Sequence, residues 1–362
     1  LELLRYDRRR SYQWNYDHAP RSGDLSIGTE LSVPKVPGTW QFCGLSTGSP
    51  LGVPAGPLLN GPWCLYYAAL GFDVLTYKTV RSFARPCYPL PNLQPVSCRQ
   101  LRGKEKMLPA VESMDGSWAV SFGMPSQSPE IWRADLEETR RRLPAGKVLI
   151  ASVVGAAQAG DDLQQLAEDY AQCANWAVAS GVDGVEINLS CPNVATRDGQ
   201  LYQQPGPARQ VAQCVRSAIG DVPLLAKVGA IASREDAVAL VGAVDGVANA
   251  ICATNSIAAT VAGVDGKELF EGQRRGICGD AIRQSSIAQV ALLAEIIIER
   301  KARLDLVGVG GASTAGHVRA YLAAGAHAVQ IATAAMIDPT IAIRIKEDLA
   351  DDCLAPPALH ST

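Results

Sequence analysis

Surplus charge is scarce in this chain: its 362 residues carry a formal net charge of −3, and only 19% are charged at all. Without a basic excess to neutralise phosphates along a strand, nucleic acid is not expected as a partner. Histidine is nearly absent. His18, His317, His327 and His360 are too few and too dispersed for a metal cluster, so no metal is expected, and acid–base chemistry should not rest on imidazole. Cysteine is plentiful, with ten residues, but no Cys-x-x-Cys pair occurs, which argues against iron–sulfur clusters and structural zinc. Most of these thiols should be reduced, buried and apolar in behaviour. Long apolar runs are missing too. None approaches the roughly 18 residues that span a bilayer, and the opening residues show no charged-then-apolar leader pattern. The expectation is no membrane span and a cytoplasmic location.

What is present is a soluble α/β composition, 48% hydrophobic. Residues 1–50 read as an irregular arm rich in Arg, Pro, Gly and Ser, with Tyr12, Trp14, Tyr16 and Trp40 as anchors pinning it to the remainder. From residue 51 short β-branched runs recur, at Leu51–Ala55, Val74–Lys78, Val148–Val153, Gly184–Asn188, Pro223–Val228, Gly246–Cys252, Asp305–Gly308 and Ala328–Ile331. Helical stretches at 161–180, 204–219, 232–243, 282–302 and 314–324 lie between them. Eight strands alternating with helices over about 300 residues predict a single (β/α)8 TIM barrel rather than a doubly wound sheet. The expected organisation is an arm over 1–50, a barrel over 51–345 and a tail over 346–362. Two stretches break the rhythm, 80–147 and 254–281, each too long for a plain connection and therefore candidates for function. A lid and an oligomer contact are both open for the Pro-rich part, 80–118.

In such barrels the chemistry gathers at the C-terminal ends of the strands. Those ends carry Ala55 and Gly56, Lys78 and Thr79, Asn188 with the turn SCPN, Lys227, Asn255 and Ser256, Gly310 and Gly311, and Ala332 and Thr333. Singly each is weak. Together on one rim they describe amides and ammonium groups around a cavity. Glycines after the seventh strand and small residues after the eighth let backbone N–H groups approach an anion. A buried Lys227 needs an acceptor, which an electron-rich ring supplies. Phosphate, ring and amide-lined pocket read as a flavin mononucleotide (FMN) site beside a small planar substrate.

NLSCPN, LLAKV, ATNS, GVGGAST and VQIATA, in that order, resemble the dihydroorotate dehydrogenase family of FMN barrels across roughly residues 50–340. A cysteine in the SCPN turn resembles the soluble class. The resemblance implies Cys191 as the base taking a proton from C5 of a dihydropyrimidine while hydride leaves C6 for flavin N5. It implies Lys227 as the catalytic partner at flavin N1 and the C2 carbonyl. Lys78 would reach flavin and substrate, with Asn188, Asn193, Asn255 and Ser256 on the substrate ring. The segment SFGMPS, with Gly123 and Met124, resembles the family's substrate loop. Ala55, Gly56 and Thr79 would lie along the cofactor, and Gly279, Gly310, Gly311, Ala332 and Thr333 around its phosphate.

Two departures stand out. Val120 and Ser126 occupy positions where asparagine is usual, so the substrate stays open between dihydroorotate and a related cyclic imide. Asp280 lies near the implied phosphate and calls for Arg275 or Arg283 as a counter-charge. The implied activity is that of a CH–CH oxidoreductase in pyrimidine biosynthesis, with a small-molecule substrate and a homodimer left open. The alternatives are a dihydropyrimidine dehydrogenase-like or other flavin ene-reductase, and a flavin-binding barrel without turnover.

Overall fold

Residues 3–21, 31–103, 105, 107–114, 116–156, 162–190 and 197–351 are described by a computed structural model. Cys191 and Asn193 lie outside the described residues.

Eight parallel strands close a barrel. They are β1 (Leu51–Val53), β2 (Val74–Val80), β3 (Val148–Val153), β4 (Gly184–Asn188), β5 (Leu224–Lys227), β6 (Ala250–Ala253), β7 (Asp305–Val309) and β8 (Ala328–Gln330). Each pairs with the next in sequence and β8 returns to β1, so no edge is left open. The outer ring is α1 (Gly61–Ala69), α2 (Pro129–Arg142), α3 (Leu163–Ala179), α4 (Pro205–Ile219), α5 (Arg234–Val244), α6 (Arg283–Arg300), α7 (Ala315–Ala323) and α8 (Ile341–Asp351). Side chains set several of their starts: Asn60, Ser233 and Thr314 accept an N–H of the first turn, and Asp162 forms a reciprocal capping box with Gln165. By length and apolarity the segment Asp280–Arg300 could cross a membrane, but it contains α6, which turns Val290, Leu293 and Ile296 into the core.

The strand pattern of the sequence reappears with shifted ends. The sixth strand starts at Ala250 rather than 246, because Val247 and Ala248 still bond back to the carbonyl of Val244 at the end of α5. The barrel also runs past residue 345. Helix α8 continues to Asp351 with Ile345, Lys346 and Leu349 buried, so a tail beginning at 346 is corrected.

Inside the barrel, Val74, Val148, Ile150, Leu225, Ala250, Val307 and Ala328 form an apolar layer near the strand starts. Phe42, 1% exposed, plugs that end from a hairpin of Trp40–Phe42 and Leu45–Thr47. Its two-residue turn, Cys43 and Gly44, takes positive φ at both positions (49° and 80°), as a type I′ turn requires. Residues 6–17 of the arm pack on the opposite end. Its short helix Tyr12–Asp17 is tied to α1 through Asn60 Nδ2 to the Tyr16 carbonyl (2.9 Å) and Trp63 Nε1 to the Asn15 carbonyl (3.3 Å). Tyr6 and Tyr12 meet Phe122 edge-on at 5.8 and 5.7 Å.

The two long insertions are neither loose nor independent. They interleave into one five-stranded sheet ordered Leu93–Pro95, Ser117–Val120, Arg275–Gly279, Ile257–Ala262 and Met107–Pro109. Ile257, Ala259, Ile277, Leu108 and Ala119 bury its apolar face in a separate small core. The 80–118 segment is thus built into a fixed roof shared with the loop after β6.

Candidate active site

The C-terminal strand ends and the roof enclose a cavity of about 510 Å³, within the range of small-molecule and cofactor sites. It receives every site residue expected from the sequence that the structure describes: Ala55, Gly56, Lys78, Thr79, Gly123, Met124, Asn188, Lys227, Asn255, Ser256, Gly279, Gly310, Gly311, Ala332 and Thr333 all line it. Side-chain alternation along β4 and β5 explains two of these: the strands are in register at Asn188 and Lys227, so both project inward at the same height.

The polar groups are held by each other and by backbone. Asn188 Oδ1 accepts the Ser190 N–H at 3.1 Å, and its Nδ2 lies 3.5 Å from Thr79 Oγ1. Thr79 is steadied in turn by Ser152 Oγ at 3.0 Å. Asn255 Nδ2 donates to the Ser190 carbonyl at 3.1 Å. Asn255 itself lines the cavity. The Lys78 ammonium stands 5.0 Å over the Phe122 ring, a cation–π arrangement that fixes its direction.

Lys227 is 4% exposed, and its Nζ donates to no hydrogen-bond acceptor among the described residues; the nearest carboxylate oxygen, on Glu186, is 3.9 Å away. A buried ammonium with unspent donors is costly, and the cavity in front of it is where an acceptor belongs.

One end of the cavity is shaped for an anion. Gly279, Gly310 and Gly311 all take positive φ (96°, 134° and 69°). A Cβ on Gly311 would fall 2.4 Å from the Gly279 carbonyl oxygen, and one on Gly279 would fall 2.1 Å from that of Gly116. Backbone meets backbone there, so only glycine lets the strands approach. The N–H groups of Gly311 and Ala312 reach no acceptor among the described residues and are open to a ligand. Asp280 is balanced by an ion pair with Arg283, and not by Arg275, whose Nε donates to Ser121 Oγ at 2.9 Å. Gly56 borders the cavity with open space where a Cβ would stand.

Several contributors were not singled out by sequence. Phe122 orients Lys78, and Leu93 and Trp118 of the roof supply apolar wall beside Val120. Cys278 both packs against the core and lines the cavity, its thiol pushed up to about 12 by burial against the pull of Lys227. The Ser126 hydroxyl accepts the Arg81 N–H and donates to the Gln127 carbonyl, so it is committed to backbone and lies off this cavity. Of the two departures, Val120 is the one that lines the cavity.

The fold and this rim define a (β/α)8 barrel whose mouth gathers a buried ammonium, two carboxamides and a glycine-rich end around one cavity. The family model for dihydroorotate dehydrogenase matches residues 39–352, and the chain belongs to the dihydroorotate dehydrogenase family. It is 32% identical over 325 residues to a dihydroorotate dehydrogenase of Dictyostelium discoideum, covering 84% of this chain and 86% of that protein. It is 33% identical over 185 residues to a dihydroorotate dehydrogenase B (NAD(+)) catalytic subunit of Solidesulfovibrio magneticus, where the match spans 51% of this chain and 58% of the relative. Among solved structures, the dihydroorotate dehydrogenase of Eimeria tenella in complex with ferulenol superposes with a TM-score of 0.70 at 17% identity, over 91% of this chain and 89% of that one, a likeness of fold.

Proposed function

We propose that the protein is an FMN-dependent dehydrogenase that oxidises dihydroorotate, or a closely related cyclic imide, across its C5–C6 bond. The observation that carries this reading is Lys227, a buried ammonium with unspent donors aimed into a cavity rimmed by amides. The residues present fit FMN: the N–H groups at Gly311 and Ala312 suit its phosphate, the gap at Gly56 suits a flat ring, and Lys227 suits the N1 and C2 carbonyl edge. Bound there, FMN supplies the hydride acceptor.

The protein's part is positioning and charge. Gly279, Gly310, Gly311, Ala332 and Thr333 hold the phosphate, while Ala55, Gly56 and Thr79 border the ring. Lys227 would hold the N1 and C2 carbonyl edge of the ring and offset negative charge there, and Lys78 would draw in an anionic substrate carboxylate. Asn188, Asn255 and Ser256, with Asn193 by the family resemblance, hydrogen-bond the imide and reject rings lacking matching groups. Gly123 and Met124 cover the substrate's outer side. Cys191, on the same resemblance, takes the C5 proton. The roof excludes water from this exchange. The resemblance also supports a cytoplasmic enzyme of pyrimidine biosynthesis, and a homodimer as its assembly.

Val120 favours a second reading, a ring other than dihydroorotate, because an apolar side chain faces the cavity where an amide would bind a ring heteroatom. The test is anaerobic bleaching of the FMN-loaded protein by dihydroorotate and, separately, dihydrouracil. Bleaching by dihydroorotate alone is expected. Bleaching by dihydrouracil alone establishes the second reading, and protein that takes up no FMN ends both.

A further inference from the structure

Beneath the cavity lies a charged layer that the proposed reaction leaves unused. On β4, Asn188 reaches the cavity and Glu186, two residues earlier, points into the same interior one layer deeper, level with Ser152 of β3 and Leu225 of β5. Glu186 is 0% exposed, and among the described residues its oxygens have no hydrogen-bond partner beyond the neighbouring Cys252 thiol. Lys227 Nζ, at 3.9 Å, is the one cation within ion-pair reach among the described residues. Cys252 of β6, level with Lys227, is fully buried; its thiol is pushed far up by burial first and Glu186 second, so it stays neutral. For packing alone a pair of neutral side chains at 186 and 227 would serve as well or better, since a buried ion pair gains little net stability over well-packed apolar residues. What the charge adds is a field on Lys227.

We propose that Glu186 is a positioning residue that sets the reduction potential of the bound flavin by partly neutralising Lys227. This rests on the FMN reading above. With Glu186 charged, the ring edge faces a near-neutral pair; without it, the edge faces a full positive charge, which favours the anionic reduced ring. No bond changes at Glu186 itself. The carboxylate also restrains Lys227, which has no other acceptor among the described residues.

Redox titration of the FMN-loaded protein tests this, with sulfite affinity as a second readout of electron deficiency in the ring. Glu186→Gln should raise the equilibrium constant for two-electron reduction tenfold or more, about 30 mV, and tighten sulfite binding in the same direction. Glu186→Asp keeps the charge and should stay within threefold of wild type. Glu186→Met, also charge-free, should shift as the Gln variant does and stands in if that variant does not fold. A charge-free variant that binds FMN with the wild-type potential overturns the proposal and leaves the FMN reading intact. Wild-type protein without affinity for FMN removes both.

Discussion

Lys227 and Glu186 depend on each other. Removing one partner of a buried ion pair leaves the other uncompensated, at about 3–5 kcal/mol. Lys227→Met should therefore destabilise the protein by that order in urea unfolding, and adding Glu186→Gln should recover most of the loss, a coupling that a double-mutant cycle reads directly. Additive losses would mean the 3.9 Å contact carries no energy. Val120 tests specificity at the same scale. Val120→Asn restores a donor and acceptor to the wall facing the substrate, worth about 1–2 kcal/mol if a ring heteroatom is met. The expected result is roughly a tenfold rise in kcat/KM for dihydroorotate with kcat/KM for dihydrouracil unimproved. Gly311 allows no such freedom. Gly311→Ala meets both a φ of 69° and a backbone oxygen 2.4 Å from the new Cβ, so the loop must open and FMN affinity should fall tenfold or more in equilibrium dialysis.

Among the elements, closure of the barrel's lower end depends on Asp73, just before β2. Its carboxylate takes Lys147 Nζ at 2.6 Å, Lys346 Nζ of α8 at 2.7 Å and the Ser49 hydroxyl, and so fastens the last helix to the strand starts. Burial alone would raise its pKa, but the two ammonium groups outweigh it and hold the carboxyl below its usual value. Lys346 is held low by burial against the pull of Asp73. One acid facing two bases gains more from the cluster than either base, so the acid sets the pH window. A carboxyl held lower in the folded state stabilises above its unfolded value near 3.9, and that stability is lost as pH falls through the folded value. Melting followed from pH 6 to 2 should show this loss, and Asp73→Asn, weaker by about 3–5 kcal/mol at pH 7, should show a shallower acid slope. Legibility also divides by element. Barrel strands such as Val148–Val153 and Gly184–Asn188 are continuous apolar runs with helices on both sides, so local pattern sufficed to read them. The roof was not legible. Its strands Leu93–Pro95 and Met107–Pro109 have three residues each, and Ser117–Val120 finds its partner Arg275–Gly279 more than 150 residues away. Nothing in a window of ten residues encodes that pairing. Hence Trp118 and Val120 were not read as one cavity wall, and Phe122 was not seen beneath Lys78, whereas the rim residues followed from strand ends alone.

For the molecule as a whole, barrel and roof share the ligand cavity, so ligand binding and global stability are one equilibrium. The cavity is lined from β1 at Ala55 to the segment after β8 at Thr333 and from the roof at Trp118, so a bound molecule bridges parts more than 200 residues apart. A ligand that binds only this assembled state adds RT ln(1 + [L]/Kd), about 2.7 kcal/mol at one hundred times Kd. FMN should raise the thermal midpoint by a few degrees, more with rising concentration. Riboflavin has the same ring but no phosphate, so it forgoes the N–H groups at Gly311 and Ala312 and should give a clearly smaller shift at equal concentration. Gly311→Ala should narrow the gap between the two ligands, because the opened loop no longer distinguishes them. Equal shifts with FMN and riboflavin in the wild-type protein would remove the phosphate from the glycine end of the cavity. No shift with either would remove the flavin altogether and leave Lys227 aimed at some other acceptor.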